Sequence, residues 1–176
     1  MSLRRCFRNY PRRVPHIKKL VENNLAYAEQ FKLSDLPARP AKKLAVLTCM
    51  DARIDVYKIL GLTEGDAHVI RNAGGIVTED SLRSIFVSER LLGTEEIILI
   101  QHTECGMLDL DEDLIRRQVR SEAGVDLPFD LGSITDLEVS VRNGVGALRQ
   151  SAFIRDIAIH GFVYDVRTGL LSRVSD

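Results

Sequence analysis

Hydrophobic residues recur along this chain in two rhythms: short unbroken runs, and longer stretches with apolar positions three or four apart. Leu44-Ala-Val-Leu-Thr48 is an unbroken run, the pattern of a strand buried on both faces. Ala67-His-Val-Ile-Arg71 and Glu96-Ile-Ile-Leu-Ile-Gln101 predict a second and a third strand, and Asp156-Ile-Ala-Ile-His-Gly-Phe-Val-Tyr164 a fourth. The helical rhythm predicts a first helix over Pro15 to Leu33, with Ile17, Leu20, Val21, Leu25 and Phe31 on its apolar side. Further helices are predicted from Asp55 to about Leu60, closed by Gly61, and from a cap at Thr78 through Ser81, Ile85, Arg90 and Leu91. Two more cover Asp109 to Arg120 and Thr135 or Asp136 to about Arg149, separated by a loop over Ser121 to Ser133. Arg167-Thr-Gly169 predicts a turn into a short closing strand, Leu170 to Val174. Strands alternating with helices imply an α/β domain. Its sheet has about four mostly parallel strands, covered on both sides, and a short antiparallel edge strand. Pro37 and Pro40 mark a linker, so residues 1–40 are expected to form an arm and helix ahead of a single domain over 41–176.

Charge removes several classes of partner. With 24 basic and 25 acidic residues in 176, nothing points to nucleic acid or an anionic membrane. A hydrophobic share of 45% suffices for a core, and no apolar run approaches transmembrane length. Arg4, Arg5, Arg8, Arg12 and Arg13 crowd the start; an arm packed on a partner or a frayed terminus is preferred there over an organellar address. Cys6, Cys49 and Cys105 are an odd count with no secretory signal before them, which favours a reducing, cytoplasmic compartment over a disulfide framework.

Two segments end buried strands with groups that can bind metal. Thr48-Cys49-Met50-Asp51-Ala52-Arg53 follows the first strand, and His102-Thr103-Glu104-Cys105-Gly106 follows the third. In an open parallel sheet, ligands gather beyond the carboxyl ends of strands where the connections diverge. If those two strands are neighbours, Cys49, His102 and Cys105 reach one ion. Two thiolates and an imidazole suit zinc, and three protein ligands leave a position for water. A cysteine at a strand end is by itself commonly a small core residue; the pairing of the segments makes the metal reading the stronger one. Two thiolates neutralise the ion, so a nearby carboxylate has work to do. Asp51 can orient the nucleophile, with Arg53 holding it ionised, or can swing onto the metal as a fourth ligand. The Asn72-Ala-Gly-Gly75 turn brings Gly74 and Gly75 to the same side, as candidates for contacting substrate or a developing oxyanion or simply as a tight turn. His16, His68 and His160 have no cysteine or acid at ligand spacing, and the latter two read as packed or hydrogen-bonded strand residues.

Cys49-x-Asp51-x-Arg53 and His102-x-x-Cys105, with Glu64 to Gly75 and Gly106-Met107, resemble the β-class carbonic anhydrases, in their compact prokaryotic branch. The resemblance covers about residues 40 to 170 and implies a Rossmann-like three-layer fold and one zinc ion per subunit. It also implies a homodimer, sometimes a tetramer, in which the N-terminal helix wraps the partner. It further implies reversible hydration of carbon dioxide to bicarbonate by zinc hydroxide. Hydrolases of carbonyl sulfide and carbon disulfide resemble the same branch, so carbonyl sulfide is the rival substrate; the carbon disulfide enzymes are expected to carry a longer C-terminal extension. A non-catalytic zinc-stabilised binding domain is the remaining alternative.

Overall fold

The computed structural model describes residues 17–175. The arginine-rich arm, Cys6, Pro15 and His16 lie outside them. In chain order the elements are α1 (Ile17–Glu29), β1 (Leu44–Cys49), α2 (Val56–Leu60), β2 (Ala67–Asn72), α3 (Glu79–Arg90), β3 (Glu96–His102), α4 (Glu112–Ala123), α5 (Leu137–Gln150), β4 (Ala158–Tyr164) and β5 (Leu171–Val174). They divide into two compact units, one of the described residues up to Leu36 with Leu114–Pro128, the other of Pro37–Asp113 with Phe129–Asp176.

The second unit holds a five-stranded sheet in the order β2-β1-β3-β4-β5. The first four strands are parallel, and β5 runs antiparallel to β4 at the edge. Alternate residues of the central strands serve two cores. Ala45 and Leu47 of β1 with Ile97 and Leu99 of β3 pack against Ile85 of α3 and against Val141, Val145 and Leu148 of α5. Leu44 and Val46 with Ile100 pack on the other face with Ile54 and Val56, the latter opening α2. This two-sided burial is why β1 and β3 show no polar alternation.

Local signals set most boundaries. Asp55 caps α2, its side chain accepting from Lys58 N at 3.3 Å. Thr78 and Ser81 form a reciprocal capping box at α3, and the Asp136 side chain accepts from Val139 N at the start of α5. One helix is displaced from its predicted place. The sequence pattern predicts it from Asp109, but the backbone there is committed elsewhere: Asp109 N donates to Ile134 O at 2.9 Å, and Ile134 N to Met107 O at 2.8 Å. Asp109 also takes a φ of 49°, which no helix contains, so α4 begins at Glu112 and runs on to Ala123.

In the first unit, none of the described residues of α1 is buried, and Ile17, Leu20, Val21 and Leu25 form an open apolar stripe. Arg120 pairs with Asp126, and Arg116 donates to Leu127 O, which folds the chain after α4 back on that helix.

Candidate metal centre

From β1 the chain leads to β2 on one side, while β3 lies on the other, so connections diverge between β1 and β3. The carboxyl ends of those two strands deliver Cys49 and His102, and the loop after β3 returns Cys105 to the same point. Among the described residues, Cys49, His102 and Cys105 are the group whose donor atoms all lie within 4.8 Å of one another, and all three are buried. The two Sγ atoms are 3.9 Å apart. Bonds of about 2.3 Å at a tetrahedral angle would separate two zinc-bound sulfurs by about 3.8 Å.

His102 presents its ring in the tautomer a metal requires. Its Nδ1 lies 2.9 Å from Thr103 O, a carbonyl that can only accept, so Nδ1 carries the hydrogen. The lone pair is then on Nε2, which is buried and has no hydrogen-bond partner. A buried orphan acceptor facing two thiols is unfavourable unless an ion completes it. Burial holds the imidazole below its ordinary pKa and therefore neutral, so the 3.9 Å approach of Asp51 Oδ2 to Nε2 is not an ion pair. Burial also pushes the Cys105 thiol up, only partly offset by the Met107 amide that donates to it. A divalent cation reverses that preference by binding the thiolate.

Asp51 is clamped. Its Oδ1 accepts from Arg53 N and Nε, both at 2.9 Å, and its Oδ2 from Arg53 Nη2 at 2.7 Å. These bonds, the side-chain ones foremost, hold its carboxyl well below the usual range and raise the guanidinium in turn. Arg53 reaches across to the other metal loop, where Nη2 donates to Glu104 O at 2.9 Å and Nη1 lies 3.4 Å from Glu104 Oε2.

Gly75 packs against the main chain that carries Cys49. With φ of 63°, it lies so near β1 and β3 that a Cβ would stand 2.7 Å from Cys49 N, 2.9 Å from Thr48 C and 3.0 Å from Ile100 O. Gly74, at φ 79°, faces Ile134, Ile76 and Met107. Asn72 holds this turn, bonding Ile76 through both Oδ1 and Nδ2. His68 and His160 are satisfied inside the sheet: His68 bonds Ser88 Oγ and Ala38 O, and His160 meets Glu96 and Arg173.

Three residues of the site take no role from the sequence pattern, although Glu104 lies inside the His102 to Gly106 segment and Arg71 inside Glu64 to Gly75. Arg71 donates to Cys49 O at 2.9 Å and to Asp51 O at 2.7 Å, fixing the loop main chain. Glu104 and Arg167 form a surface ion pair beside it. The available signal for Arg71 is register, since its neighbour Asn72 pairs with Cys49.

A model of the carbonic anhydrase family matches residues 44–171. Beta-carbonic anhydrase 1 of Mycobacterium tuberculosis is 46% identical over 154 residues, spanning 87% of this chain and 94% of that protein. The chain belongs to the β-carbonic anhydrase family. A crystal structure of carbonic anhydrase from Streptococcus mutans superposes with a TM-score of 0.85 at 40% identity, covering 91% of this chain and 98% of that one. Carbon disulfide hydrolase of Acidianus sp. is also related, at 34% identity over 89% of this chain and 90% of that protein. Members of this family are zinc enzymes, and the Cys-His-Cys donor set suits that ion.

Proposed function

We propose that Cys49, His102 and Cys105 hold zinc and that this chain hydrates carbon dioxide reversibly to bicarbonate and a proton. The observation that carries the reading is the bond-free, buried Nε2 of His102 facing two thiols, with a clamped carboxylate 3.9 Å away. Zinc bound there lowers the pKa of a water molecule and so supplies a nucleophile near neutral pH. Asp51 stays ionised and accepts a hydrogen bond from the attacking water, which turns an oxygen lone pair toward the substrate carbon. Arg53 keeps Asp51 in that orientation, and Arg71 keeps the Cys49 and Asp51 main chain still. Gly74 and Gly75 are the candidate backbone contacts for the substrate oxygen.

A second reading, hydrolysis of carbonyl sulfide or carbon disulfide, is favoured by the relationship to carbon disulfide hydrolase over nine-tenths of that enzyme. All three molecules are linear, uncharged and electrophilic at carbon. The deciding experiment is stopped-flow hydration of carbon dioxide with zinc content confirmed, beside sulfide release from both alternatives. Rapid zinc-dependent hydration with little sulfide supports the first reading; the opposite ratio supports the second.

We further propose a homodimer, supported by the open apolar stripe of α1, and a cytoplasmic setting, where both site cysteines stay reduced. No helix among the described residues is long and apolar enough to cross a membrane. In this arrangement the segment ahead of residue 41 serves as the arm and residues 41–176 as the zinc domain. Sedimentation across a range of concentrations tests the dimer, and a monomer at all of them would overturn it.

A further inference from the structure

We infer that Glu104 is a positioning residue for the Asp51–Arg53 pair, fixing the guanidinium from the second metal loop and tying it, through Arg167, to the turn between β4 and β5. The inference rests on the catalytic reading above and adds a residue to it. Arg53 is a long, half-exposed side chain with many rotamers, and Asp51 alone engages only Nε and Nη2. Glu104 supplies a second grip, its carbonyl accepting from Nη2 and its carboxylate facing Nη1. To do this Glu104 adopts φ of 55°, a left-handed conformation that costs a non-glycine residue free energy and persists where the surroundings impose it. It sits between His102 and Cys105, so the strain lies within the metal loop itself.

The other Glu104 oxygen, Oε1, accepts from Arg167 Nε. Arg167 stands on a turn fixed by Asp165, whose Oδ1 accepts from Arg167 N at 2.7 Å and Thr168 N at 3.3 Å. The same turn is bonded to the metal loop by Val166 N to Thr103 Oγ1 at 3.1 Å and by Thr103 N to Tyr164 O at 2.9 Å. Charges alternate along Asp51, Arg53, Glu104 and Arg167. Arg167 balances Glu104, which lets Glu104 locate Arg53 without drawing it away from Asp51. The orientation of the catalytic carboxylate is thus referred to two sheet ends.

The test uses zinc-loaded Glu104→Gln, Arg167→Ala and their double variant, each also combined with Arg53→Ala. Glu104→Gln is expected to lower kcat by about two- to fivefold, the scale of exposed ion pairs, with KM and zinc content unchanged. Arg167→Ala, outside the metal loop, should act in the same direction, and the double variant should be no worse than the larger single loss. On Arg53→Ala both substitutions should add less than about twofold, because they act through Arg53. In nitrogen NMR of the substrate-free protein, the Arg53 Nε–H signal should shift and exchange faster in Glu104→Gln. Unchanged kcat, a KM effect alone, loss of zinc, or full additivity on Arg53→Ala would each overturn the inference. Should the wild-type protein turn over none of the three substrates, the catalytic reading fails. The NMR signal then decides for Glu104 alone, and an unmoved resonance overturns its role.

Discussion

Gly75 and Gly61 make a matched pair for measuring how tightly the metal loop is built. Both adopt φ of 63°, but a Cβ on Gly61 would meet nothing within 4 Å, whereas one on Gly75 would press on Cys49 N, Thr48 C and Ile100 O. Alanine at either site bears the left-handed backbone penalty, about 1–2 kcal/mol. At Gly75 the obstructing atoms are main chain of two central strands, which cannot rotate aside, so overpacking adds about 1–3 kcal/mol. For a chain of this size each kcal/mol lowers Tm by about 2–4 °C, so Gly75→Ala should melt about 2–12 °C below Gly61→Ala. The displaced atoms include the amide of Cys49, so Gly75→Ala should also lose zinc to a competing chelator faster than Gly61→Ala. Thermal denaturation by circular dichroism and a chelator chase read the two effects. Equal melting temperatures for the two variants would refute the close-packing argument.

Other consequences concern charge and protons. Because burial raises the Cys105 thiol, the metal-free site carries a proton at neutral pH that zinc must displace. Zinc affinity should therefore fall with falling pH by about tenfold per unit for this proton, measurable by chelator competition; a flat profile would count against Cys105 as a ligand. Arg53→Ala should return the Asp51 carboxyl toward its ordinary value of 3.8 in the metal-free protein, followed by carbon NMR. The sign follows from a depressed folded pKa: the stabilisation is present above 3.8 and lost as pH falls below it, so the stability gap between variant and wild type should narrow in acid. Glu89 is fully buried and held by Arg155 and Arg90, so Arg155→Ala should destabilise by about 2–4 kcal/mol in urea. Adding Glu89→Gln should recover part of that loss, and additive losses would argue against a buried charge at Glu89.

Much of this candidate site was legible because its donor residues punctuate the clearest elements. β1 and β3 are unbroken apolar runs, and such strands are central in a parallel sheet, so residues just beyond Thr48 and Gln101 had to lie near a switch of connection. Cysteine and histidine then stand out by type. Arg71, Glu104 and Arg167 did not, because a charged residue at a strand end or in a turn looks the same whether it faces solvent or braces a loop. Their roles depend on which loops the fold places side by side, over separations of 51 residues for Arg53 with Glu104 and 63 for Glu104 with Arg167. The start of α4 was misplaced for a similar reason. The bridge from Leu108 to Ile134 is a long-range pairing that overrides a locally helical pattern.

The three donor residues are more than nine-tenths shielded from solvent, with Cys49 at 4%, Cys105 at 6% and His102 at 0% exposure. An ion seated among them leaves by loosening the ends of two central strands, a movement opposed by both hydrophobic cores. On the proposed ligand set, exchange is therefore expected to require local opening at the ends of β1 and β3 rather than simple access from solvent. The barrier to replacing one ion by another would then be set by the packing of the sheet as well as by the donors, so exchange should quicken under conditions that loosen those strand ends.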